Sequence, residues 1–76
     1  MNKARRKSLT EVKEKIEELK DALQELLDEE QDYLDNIPEN MHSGERYEQA
    51  EEAVSALEEA VCNLEEAVDN IYTAIE

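Results

Sequence analysis

"DNIPENMHSG", residues 35–44, decides the fold, because a helical pattern runs up to it from one side and away from it on the other. Pro38 lacks an amide hydrogen and drives Ile37 out of the helical region, while Asn40, Ser43 and Gly44 are turn-forming residues. The stretch therefore reads as a break between two helices, spanning residues 37–43, with room for a single helical turn at 38–40. Helices are expected over 8–36 and 44–75, preceded by an N-terminal arm of residues 1–7.

Working back from the break, apolar residues fall at Leu9, Val12, Ile16, Leu19, Leu23, Leu26, Tyr33 and Ile37, in steps of three and four. With Leu9 as heptad position a, these are the a and d rows, and Leu27 and Leu34 widen the stripe at e. Ser8-Leu9-Thr10-Glu11 has the Ser-x-x-Glu spacing of a capping box and places the helix start at Ser8. Working forward, Ser43 is the expected N-cap of the second helix, with Glu45 in its first turn. The seam there is Tyr47, Ala50, Val54, Leu57, Val61, Leu64, Val68, Ile71 and Ile75. Ala53, Ala60, Ala67 and Ala74 all fall at g.

Two amphipathic helices joined by a short break bury their stripes only by folding back on each other. The sequence thus predicts an all-α fold, an antiparallel two-helix coiled-coil hairpin. In an a/d seam, Lys20 comes near Glu65, Ala22 near Ala60, and the basic arm ends beside Asp69 and Glu76. Leu27 and Leu34 are left on one edge and the alanine row Ala53, Ala60 and Ala67 on the other, so a homodimer forming a four-helix bundle is expected to cover them. With 76 residues the chain is one domain with a small core, which also favours self-association.

The net charge is −14, but Lys3, Arg5, Arg6 and Lys7 put four positive charges on the arm and leave −18 on the remainder. Such a body repels nucleic acid, so direct binding of DNA or RNA by it is not expected. No apolar run approaches a membrane span, the basic start leads into a charged amphipathic segment unlike a signal peptide, and the lone Cys62 suits a reducing, cytoplasmic setting.

Catalytic signals are lacking. His42 stands alone in the break and Cys62 falls at position b among acidic neighbours. "DEEQDYLD", residues 28–35, continues into Asn36-Ile37-Pro38 and lacks the central glycine of a calcium loop. No Glu-x-x-His pair supports a di-iron bundle. The expectation is a protein that is not an enzyme and takes no metal or cofactor. Glu30 is the one carboxylate in the apolar seam, opposite Ala50 and Ala53 and within reach of Arg46 or Tyr47, and is read as a register-fixing residue.

Glu51-Glu52, Glu58-Glu59 and Glu65-Glu66 recur every seven residues, about 10.5 Å along a helix, and Asp69 continues the face. The bland reading is a solvated coiled-coil surface. Against it stands the imbalance of the second helix, which has ten acids and one base, Arg46, where a sequence shaped for solubility alone intersperses lysines.

The stretch "DEEQDYLDNIPENMHSGERYEQAEEAVSALEEA", residues 28–60, resembles a family of small helical-hairpin proteins from Firmicutes and their prophages, through its acidic run, "NIPEN" turn, "SGERYE" restart and Glu-Glu-Ala heptads. The resemblance implies a mobile-element origin and brings no activity or site with it. Together with the charge it yields the leading expectation, a phage-type inhibitor whose acidic helical faces occupy a basic, nucleic-acid-binding surface of a host protein. The alternative is a structural coiled-coil adaptor that docks partner helices through its apolar edge.

Overall fold

The computed structural model describes all 76 residues. Helix α1 spans Lys3–Asp35, a 3-10 turn spans Glu39–Met41, and helix α2 spans Glu45–Ile75. The two helices pack side by side as an antiparallel hairpin, a rod of 59 × 15 × 13 Å.

The helix starts differ from the sequence expectation. Residues 3–7 are the first turn of α1 and not a separate arm. Asn2 is the N-cap, its side-chain oxygen accepting the Arg5 amide at 2.7 Å, and Ser8 lies well inside the helix. The physical reason is that Lys, Ala and Arg are strong helix formers and nothing before Ser8 stops the helix. Gly44, not Ser43, caps α2, in extended geometry and with no side-chain hydrogen bond. Glu45 and Glu48 in the first turn offset the exposed amides electrostatically.

Between the helices the chain reverses without any residue of positive φ. The Asn36 side chain donates back to the Asp32 carbonyl at 2.8 Å, closing α1. Pro38 then turns the chain out, and its carbonyl accepts the Met41 amide at 2.8 Å to start the 3-10 turn. Ile37 is buried, His42 Nε2 donates to the Ile37 carbonyl at 3.0 Å, and the His42 ring stacks on Tyr47 with centroids 4.2 Å apart. The lone histidine is thus occupied in fastening the turn to the start of α2.

The seam is rotated on α1. The half-buried and buried apolar positions there lie on the a and e rows, as at Leu9, Ile16, Leu23, Leu27 and Leu34, and Lys13 and Lys20 are half-buried at e as well. Leu27 is 8% exposed and forms the central cluster with Val54 at 5% and Val61 at 7%, against which Leu23, Leu34 and Leu57 pack. The expected free edge of Leu27 and Leu34 therefore does not exist, and Ala53, Ala60 and Ala67 are half-buried as well. Large e residues on α1 and small g residues on α2 complement each other in volume, and a seam that takes in both rows buries both. The cost falls on the d row: Val12, Leu19, Leu26 and Tyr33 are 46%, 66%, 56% and 45% exposed.

Candidate interaction surface

Two contacts between the helices fix the register. Lys20 Nζ lies 3.6 Å from Glu65 Oε1, as the sequence predicts, and Lys13 Nζ sits 5.7 Å over the Tyr72 ring. The two pairs are one heptad apart on both helices, so the register is uniform. It sets Leu9 level with Glu76, just after α2, and the turn Lys3–Lys7 projects beyond that end. These basic side chains form no ion pair with Asp69 or Glu76; the two ion pairs in the chain are Lys20–Glu65 and the Lys13–Glu17 pair within α1, at 3.3 Å. Ala22, expected beside Ala60, is exposed.

The seven carboxylates singled out in α2, Glu51, Glu52, Glu58, Glu59, Glu65, Glu66 and Asp69, are all exposed. Only Glu65 has a cation beside it, and that pair is itself half in solvent. From Glu51 to Asp69 the helix rises about 27 Å, so these carboxylates stand on average about 4.5 Å apart along the axis, somewhat wider than the 3.4 Å charge spacing of a single DNA strand. Over the whole rod the net charge density is lower than −18 on residues 8–76 alone implies. The basic turn belongs to α1, and a net charge of −14 is distributed along 59 Å.

Glu30 is half-buried at the rim of an open hollow lined by Tyr33, Glu45, Arg46, Gln49 and Ala50. Arg46 shares the hollow but forms no ion pair with it. Its tolerance of the seam comes from this opening to solvent and not from a buried partner.

Cys62 is exposed. No group of three His, Cys, Asp or Glu side chains is gathered as metal ligands, and no helix is long and apolar enough to cross a membrane.

The surface that heptad lettering missed is the d row of α1. The signal for it was present: leucine at e in the second half of that helix, alanine at g throughout the other. Comparison with protein-family models, with curated proteins and with solved structures finds no match to this chain.

Proposed function

We propose that this chain is a non-enzymatic protein-binding module, and that its acidic α2 face occupies the basic, nucleic-acid-binding surface of a host protein, as a phage-type inhibitor would. The observation that carries this reading is the row of seven exposed carboxylates whose spacing is of the same order as the charge spacing of a nucleic-acid strand, six of them without a cation of the chain's own beside them. A rigid helix holds them in place before binding, so little ordering entropy is lost when Lys and Arg side chains meet them. Association through such a face is fast and salt-sensitive. The test is capture of lysate proteins on the tagged chain at low and high salt. Reversal of Glu58, Glu59, Glu65 and Glu66 to Lys is expected to abolish capture of basic proteins while circular dichroism stays helical. Capture that survives this reversal rules the reading out.

A second reading is favoured by the exposed row Val12, Leu19, Leu26 and Tyr33. Four large apolar side chains at heptad spacing on one face of a helix form a docking stripe for another helix, as in a coiled-coil adaptor. Binding through it is expected not to weaken as salt is raised and to be lost in Leu26→Glu.

A further inference from the structure

We propose that the helix docked on this row is α1 of a second copy of the same chain, antiparallel to the first across a two-fold axis near Ala22. The inference rests on the second reading and names its partner.

The Lys20–Glu65 pair marks one side of the hairpin, the side of both e rows. Around α1 the order of rows runs e, a, d, so the exposed d row lies on the opposite side. Around α2 the order runs e, a, d, g, c, so g and c lie on that opposite side too. It therefore presents the apolar row of α1 together with Ala53, Ala60 and Ala67 at g and Ala56, Asn63 and Asn70 at c of α2. Between Gln49 and Ala74 neither of these α2 rows carries a charge, although α2 and the C-terminal residue supply ten acids. All the glutamates of the stripe sit elsewhere on the helix. A face that excludes charge in so acidic a chain is a face built for contact. The d row also points about 80° away from the direction of α2, near the right angle at which a helix meets its second neighbour in a four-helix bundle.

Charge selects the partner and its direction. From Lys3 to Lys20, α1 has seven bases and four acids; from Asp21 to Asp35 it has seven acids and no base. A second α1 laid antiparallel sets the basic half of each copy against the acidic half of the other, whereas a parallel one sets like against like. The spacing agrees residue by residue. With the axis near Ala22, Val12 meets the partner's Tyr33, Leu19 meets the partner's Leu26, and Lys15 flanks the partner's Glu29. At the axis Ala22 meets Ala22 of the partner subunit, where small side chains let the helices approach. The row Glu11, Glu18, Glu25 and Asp32 lies at the rim, on the side away from α2, where solvent screens it. In this dimer both glutamate stripes face outward and stay free.

Sedimentation equilibrium of the full chain tests the pairing. The expected mass is twice the 8.8 kDa of one chain. Leu26→Glu is expected to weaken association about 100-fold or more with helicity retained, since Leu26 contributes little to the hairpin seam. Direction is read by oxidation in a Cys62→Ser background: Ala22→Cys cross-links to its copy readily, whereas Glu29→Cys, whose two copies lie about 21 Å apart along the axis, does not. A chain that stays monomeric at every concentration overturns the inference and leaves the second reading to be decided by the Leu26→Glu capture experiment. A dimer that survives Leu26→Glu, or that cross-links as well through Glu29→Cys as through Ala22→Cys, overturns it too.

Discussion

Leu26 and Leu27 are adjacent and chemically identical, yet the hairpin uses them oppositely. Leu27 is the centre of the core and Leu26 is more than half exposed. Leu27→Ala removes packing against Val54 and Val61 and is expected to cost about 2–3 kcal/mol, seen as a lowered urea midpoint. Leu26→Ala, measured at high dilution where self-association is absent, is expected to change stability by less than about 0.5 kcal/mol. Equal losses at the two sites would show that the seam is not rotated. A similar contrast holds at the helix start. Asn2→Ala is expected to cost about 1 kcal/mol and to speed amide exchange at Arg5, whereas Ser8→Ala affects no cap and leaves the first turn unchanged. The Ser-x-x-Glu spacing at residues 8–11 is a capping signature only where the preceding chain is not helical. Lys3 to Lys7 are all helix formers, so the start was legible at Asn2, the nearest capping residue before them.

At the scale of the elements, the two helices and the break between them follow from the sequence pattern, whereas the rotation of α1 in the seam does not. Pro38 and Gly44 bracket the break, and the helices end and restart at Asp35 and Glu45. The a/d lettering of α1 was displaced toward a/e by about 50°, because lettering ranks positions by hydrophobicity along one helix while the seam is chosen by the fit between two. Lysines at e in the first half of α1 concealed that choice, since a charged side chain there looks like a rim residue. Lys13 and Lys20 lie along the seam with their ammonium groups reaching Tyr72 and Glu65. Lys20→Glu is thus expected to lower stability by about 1 kcal/mol, since it turns a partly exposed attraction into a repulsion. Adding Glu65→Lys to that variant restores most of the loss if the two side chains meet as described. A double variant no more stable than Lys20→Glu alone would show that the pair does not set the register. The glutamate stripe was legible in full, because exposed positions follow from the period of the helix alone. The docking row was not, because which apolar row goes uncovered depends on the partner helix.

The whole molecule carries its charge unevenly, and salt acts on its parts with opposite signs. Within the chain, two ion pairs stand against 22 acidic residues and 8 basic ones, so the balance of surface electrostatics is repulsive. The glutamate pairs repeat every 10.5 Å or so, comparable to the Debye length of about 10 Å at 0.1 M salt and well beyond the roughly 3 Å at 1 M. Raising sodium chloride from low concentration to about 0.5 M therefore relieves repulsion more than it weakens attraction, and the thermal midpoint is expected to rise by about 5 °C, equivalent to roughly 1 kcal/mol for a chain of this size. Self-association gains from the same change, because each copy brings a net charge of −14 to an interface whose attraction is largely apolar. Binding of a basic protein by the glutamate face must lose from it, since there the charges attract. One titration followed by calorimetry, sedimentation and partner capture thus separates the two surfaces: stability and self-association rise while capture falls. A midpoint that falls with salt would place net attraction inside the hairpin. The acidic face would then be part of what holds the fold together, which removes the reason for assigning it to a partner.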